Sequence, residues 1–182
     1  MISDKSLYSS FLKGDISSFE ELVIRYRHSL VYFIMQYVKS YHIAEDIAQE
    51  VFAYIYINPE RYSTDYTFKT FLFMLGKRRA IDSIRKGTRF QSIQLEEADL
   101  RDSNSLDDII FMKEDIAILR KYINELKPEY RQVIALIDIN GLSLAETAKI
   151  MDKSVSAIKV LSHRAKKRLK QIMEKGGFSY EI

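Results

Sequence analysis

From residue 17 to residue 38 the chain reads SSFEELVIRYRHSLVYFIMQYV, and its apolar side chains fall three and four positions apart. Phe19, Leu22, Val23, Tyr26, Leu30, Phe33, Ile34 and Tyr37 form one stripe of a 3.6-residue period, which predicts an amphipathic helix. Such a stripe is stable only when packed against another element, so it commits the chain to helix-on-helix packing. The same spacing recurs in HIAEDIAQEVFAYIYI, residues 42–57, through Ile43, Ile47, Val51 and either Tyr54 or Ile55. Asn58-Pro59 ends that helix, because a residue before proline is pushed out of the α region. A third helix is predicted from Thr67 to about Lys86. Its expected inward residues are Phe68, Phe71, Leu72, Leu75, Ala80, Ile81 and Ile84, with Gly87 as its C-cap.

Residues 88–106 lack sustained periodicity and carry an acidic cluster, and they are expected to be a flexible linker. Helical patterns resume at about 107–125, 129–139, 144–151 and 155–174. With only 6 Gly and 2 Pro in 182 residues there are few helix breakers. The expected fold is therefore all-α: two small helical domains, 1–87 and 107–175, a linker between them, and a tail at 176–182.

Several function classes are disfavoured at once. There is no Cys, which removes disulfides, thiol catalysis and Cys-ligated zinc. The three His (His28, His42 and His163) are scattered, so neither a metal site nor a cofactor is expected. No basic stretch followed by an apolar run opens the chain, and no window of about 18 uncharged apolar residues occurs. The expected location is cytoplasmic, without membrane insertion.

The charge is unevenly spread. Residues 1–86 carry 12 basic and 10 acidic side chains, residues 87–126 carry 5 and 9, and residues 127–182 carry 11 and 6. Lys77, Arg78, Arg79, Arg85 and Lys86 form one basic run. Lys159, Arg164, Lys166, Lys167, Arg168 and Lys170 form another, free of acids. One such run alone is as well explained by a solvated helix face, but two of them favour a polyanion contacted at two places.

The second run lies in a helix-turn-helix pattern. Ser143 caps a helix, and Glu146 completes a capping box. Asp152-Lys153-Ser154 forms a tight turn, Asp being one of the few non-glycine residues that tolerate the left-handed conformation. Ser154 caps the second helix, where Ile158, Ala165 and Leu169 face inward and Lys159, Val160, His163 and Arg164 face away. A hairpin that merely packs would not require six cations on one helix, so a DNA-reading role is favoured.

These residues resemble a known family. GLSLAETAKIMDKSVSAIKVLSHRAKKRL, residues 141–169, resembles region 4.2 of bacterial RNA polymerase sigma factors of the extracytoplasmic-function class in the sigma-70 family. LKPEYRQVIAL, residues 126–136, resembles region 4.1. HIAEDIAQEVFAYIY resembles region 2.2, and FKTFLFMLGKRRAIDSIRK resembles regions 2.3–2.4. The likeness runs from about Phe19 to Lys170 with the motifs in family order. The chain departs from the pattern at Asp152 (commonly Gly), Lys153 (commonly apolar), Leu161 (often Arg) and Ser162 (often Leu).

The resemblance implies a promoter-specificity subunit rather than an enzyme. Region 2.2 would bind the largest catalytic subunit of core RNA polymerase through Glu45, Asp46, Gln49, Glu50 and Phe52. Region 4 would bind the flap of the second-largest subunit. The −10 element would be opened and read by Tyr62, Ser63, Thr64, Asp65, Lys69, Lys77, Arg78, Arg79, Arg85 and Lys86, with Tyr66 and Phe68 as further aromatic candidates. The −35 element would be read by Ser154, Ser156, Lys159, Val160, His163, Arg164, Lys166 and Lys167, with Lys170 on phosphate. The linker acids Glu96, Glu97, Asp99 and Asp102 would lie toward the RNA exit path. An anti-sigma factor is a further partner the family often has. Two rival readings are a stand-alone helix-turn-helix regulator and a nucleic-acid enzyme using Asp46 and Glu50.

Overall fold

Ser3 accepts a hydrogen bond from the Ser6 amide and starts a helix that the spacing alone does not reveal. In the computed structural model, which describes residues 2–63, 65–91 and 114–177, this is α1 (Asp4–Leu12), with Leu7, Tyr8 and Phe11 buried. Asp15, through its carboxylate, caps α2 (Ile16–Val38). That helix ends where Lys39 turns left-handed at φ 57°. Ser40 caps α3 (Tyr41–Ile57). A 3-10 turn over Pro59–Arg61 then leads into α4 (Phe68–Gln91).

Contacts divide the chain into two units, 1–103 and 104–182. In the first, α2 is the central helix and packs on α1, α3 and α4. Leu22, Leu30, Phe33 and Ile34 of α2 are fully buried against Val51 and Ile55 of α3 and Leu72 and Phe73 of α4. Gly76 sets how closely α4 approaches α2. A Cβ there would lie 2.8 Å from Leu30 Cδ1, so a larger residue would push into a packed core.

Two sequence expectations for α4 are corrected. Gly87 lies inside the helix, which runs on to Gln91 instead of being capped at Gly87. The inward stripe is also offset. Phe68, Thr70, Leu72, Phe73, Gly76 and Ala80 are buried, whereas Phe71, Leu75 and Ile81 are half-buried and Ile84 is exposed. The buried Thr70 and Gly76 count for nothing in an apolar pattern, and the stripe therefore reads one step out of place.

In the second unit α5 (Glu114–Asn124) and α6 (Pro128–Ile134) precede a π-helical turn over Ala135–Ile139. The widened turn is closed by the buried Asn140 side chain, which donates to the Ala135 carbonyl at 2.7 Å. Then come α7 (Leu144–Met151) and α8 (Val155–Lys175). α8 packs on α5, α6 and α7, burying Ile158, Ser162, Ala165 and Ile172. Within this unit the hydroxyl of Thr147 on α7 is buried without a hydrogen-bond partner. Among the described residues no helix is long and apolar enough to cross a membrane. The linker residues 92–106, and with them Glu96, Glu97, Asp99 and Asp102, lie outside the described residues, as do 107–113 and 178–182.

Candidate functional site

The turn between α7 and α8 is built as its sequence requires. Ser143 accepts from the Glu146 amide at 3.2 Å, and Glu146 returns a contact by accepting from the Ser143 amide at 2.9 Å. This reciprocal cap satisfies two orphan donors at the helix start. Asp152 takes the left-handed conformation, φ 54° and ψ 48°, and ends α7. Ser154 then accepts from the Ala157 amide and opens α8.

With Ile158, Ser162, Ala165 and Ile172 turned inward, helical geometry places Ser156, Lys159, Val160, His163, Arg164 and Lys167 on the outer face, and all of them are exposed. Val160 is 49% exposed amid this polar face, where an apolar residue can meet a thymine methyl. Ser154 lies at the start of the same face, its hydroxyl 3.0 Å from that of Ser156. Lys166 stands apart from the others. Its ammonium is 2.6 Å from the Asp138 carboxylate of the π-helical turn. The non-glycine turn residue Lys153 is likewise paired, 3.1 Å from Glu129 at the start of α6.

In the first unit the basic residues of α4 occupy two flanks. Arg78 and Arg85 lie seven residues apart on the exposed side, and Arg85 approaches Asp82 at 4.0 Å. Lys86 is exposed as well, and Lys77 is half-buried. Arg79 lies over the Tyr54 ring of α3 at 5.6 Å, and Lys69 lies over the Tyr26 ring at 5.8 Å. Both cations therefore lie over aromatic faces within this unit.

The α3–α4 loop holds the aromatic candidates. Tyr62 is half-buried, edge-on to Tyr8 with ring centres 4.7 Å apart, and its hydroxyl donates to the Tyr66 carbonyl at 2.8 Å. It also meets Phe71 at 5.4 Å. Phe68 is buried and belongs to the core. Ser63 and Asp65 are exposed. The Ser63 hydroxyl donates to the Asp65 carboxylate at 2.8 Å and accepts from the Asp65 amide at 3.2 Å. Thr64 lies outside the described residues. Loop burial raises the Tyr62 phenol above its ordinary range.

The acidic face of α3 is divided. Asp46, Gln49 and Glu50 are exposed on one side of the helix. Glu45 is turned toward α2 and forms an ion pair with Arg27. Phe52 requires a correction. It is 6% exposed and packs edge-on to Phe19, so it supports the face from within and offers a partner no surface. The stripe Asp46, Gln49, Glu50 instead continues through the exposed Ala53, Tyr56 and Ile57. The predicted stripe of α3 includes none of these three, and the packing of the helix leaves them outward, along with Ile43, which the spacing places inward.

Both units have counterparts among known proteins. Residues 22–90 match the family model described as Sigma-70 region 2, and residues 116–169 match that described as Sigma-70, region 4. The ECF RNA polymerase sigma factor SigW of Bacillus subtilis is 28% identical over 169 residues, covering 87% of this chain and 90% of its own. The ECF RNA polymerase sigma-E factor of Escherichia coli is 27% identical, covering 92% and 93%. Among solved structures, the sigma factor RpoE in complex with the anti-sigma factor NepR from Bartonella quintana has the same fold at a TM-score of 0.67, with 20% identity and coverage of 86% and 96%. CnrH in complex with the cytosolic domain of CnrY matches at 0.66, with 21% identity and coverage of 94% and 97%.

Proposed function

This chain belongs to the sigma-70 family of RNA polymerase sigma factors, in its extracytoplasmic-function class, and directs promoter-specific initiation of transcription; from that premise we propose how its surfaces divide the work. The observation that carries the proposal is the order of the two matched regions, each on its own helical unit and each with an exposed basic helix face.

The outer face of α8 would enter the major groove of the −35 element. Lys159, Val160, His163 and Arg164 would meet base edges, with Ser154, Ser156 and Lys167 on the flanking phosphates. The α3–α4 loop and the exposed side of α4 would take the −10 element. Ser63 and Asp65 offer hydrogen-bonding groups to an unstacked base, Tyr62 an aromatic edge, and Arg78, Arg85 and Lys86 charge to the strand. Asp46, Gln49 and Glu50 would dock on a basic helical surface of core polymerase, where carboxylates pair well with arginine. The protein would act in the cytoplasm as a specificity subunit with no chemical step of its own. Two of its structural relatives are bound to partners, one described as an anti-sigma factor, and a comparable regulator is a natural further partner here.

Run-off transcription with purified core polymerase on genomic fragments tests the proposal. Discrete start sites that appear only when this protein is added are expected. Core polymerase that remains unstimulated on every fragment would overturn it. Asp46→Arg with Glu50→Arg should abolish association with core while circular dichroism stays unchanged.

A further inference from the structure

We infer that α1 is a brace for the α3–α4 loop, and that Tyr8 is the positioning residue that presents Ser63 and Asp65 to an unstacked base. The inference rests on the reading of that loop as the −10 contact. It adds a residue that lies ahead of the family match beginning at residue 22.

Among its described residues, the loop between Ile57 and Phe68 contains one short 3-10 turn. Left to itself, such a segment would sample many conformations, and ordering each residue on binding is costly. Two phenols oppose this. The Tyr8 hydroxyl donates to the Pro59 carbonyl at 2.7 Å, joining positions 51 residues apart at the loop entrance. The Tyr62 hydroxyl donates to the Tyr66 carbonyl at 2.8 Å and closes the loop exit. The rings meet edge-to-face at 4.7 Å, so the two fastenings act as one. Tyr8 is 2% exposed, a degree of burial that fixes its rotamer. α1 is in turn tied to α2, where Arg25 bonds Asp4 at 2.6 Å and Tyr26 donates to the same carboxylate. Ser63 and Asp65 thus sit at the tip of a loop whose base is held from outside the loop itself. A binding site whose supporting shell is fixed before the ligand arrives loses less on binding.

The chain has no cysteine, so Arg61→Cys provides one spin-label site in the loop. The test compares that labelled protein with its Tyr8→Phe counterpart, and the unlabelled chain with Tyr8→Phe and Asp65→Ala, each assembled with core polymerase. Opening is read by permanganate reactivity of the −10 thymines on a fragment identified by run-off transcription. Tyr8→Phe should raise label mobility and lower opening about two- to tenfold, the worth of one hydrogen bond. Its association with core should stay at the wild-type value and its unfolding midpoint should fall by no more than the loss of one hydrogen bond, whereas a residue that served stability alone would leave label mobility and opening unchanged. Wild-type mobility or wild-type opening in Tyr8→Phe overturns the brace. If Asp65→Ala lowers opening while Tyr8→Phe does not, the loop reading survives and the brace alone fails. If Asp65→Ala also opens normally, the loop reading fails with it.

Discussion

The Lys166 ammonium and the Asp138 carboxylate lie 2.6 Å apart, linking α8 to the π-helical turn before α7. Lys166, though exposed, is thus partly neutralised by a carboxylate of the protein, whereas Lys167, one position on, lies on the outer face of α8. Each phosphate neutralised on duplex DNA contributes about 0.9 to the slope of log affinity against log salt. Lys167→Ala in the holoenzyme should reduce that slope by nearly this amount, and Lys166→Ala should change it much less. Asp138→Asn should tighten promoter binding, because it releases a cation and removes an anion near DNA. Equal slopes for the two lysine variants would disprove the distinction.

A similar division applies to α3. Glu45 is paired with Arg27, and its side chain is 21% exposed, whereas Asp46 and Glu50 face solvent. In competition binding to core polymerase, Asp46→Ala should weaken association several-fold more than Glu45→Ala. The latter should instead cost up to about 1 kcal/mol of stability, as partly exposed ion pairs do. A larger loss of core association from Glu45→Ala would reverse the assignment.

Thr147 is fully buried, and its hydroxyl has no partner. An unsatisfied buried hydroxyl costs roughly 1–3 kcal/mol relative to a methyl of the same shape. Thr147→Val should therefore stabilise the second unit by about 1 kcal/mol in urea unfolding, with no effect on the outer face of α8. A lower midpoint would show that the hydroxyl is satisfied.

Tyr8 carries a pH signature. Burial, reinforced by the nearby Tyr62 and Glu60, pushes its phenol up to about 12 from an ordinary value of 10. Tyr26 is raised as well, by burial and then by its bond to Asp4. Groups whose folded values are raised add stability that is fully present below the unfolded value and is lost as pH rises through the folded one. The first unit should lose stability between about pH 10 and pH 12. Tyr8→Phe should flatten that decline. An undiminished decline in Tyr8→Phe would place its cause in other groups.

Much of this architecture is legible in the residues. α2, α3, α7 and α8 carry long apolar stripes or strong Ser caps, and their expected limits fall within a residue or two of the observed ones. α1 is not legible, because Leu7, Tyr8 and Phe11 span little more than one turn. The outer face of α8 follows from its own period, since its inward residues identify the opposite side. The pairings of Glu45 with Arg27 and of Lys166 with Asp138 do not follow from any period. They depend on how one helix is set against another, which no single segment encodes. The burial of Phe52 is illegible for the same reason: it sits beside an acidic face in sequence, yet the packing of α3 turns it toward Phe19.

The attachment of α1 has a kinetic consequence. Its contacts with Pro59 and Tyr62 join residues more than fifty positions apart, and such distant contacts form after local ones because chain closure must come first. α1 should therefore dock last during folding and detach first in native-state hydrogen exchange, its amides opening below the free energy that protects the α2–α4 core. Each detachment would briefly release the loop proposed to contact the −10 element, coupling the breathing of α1 to the readiness of a surface it does not itself form.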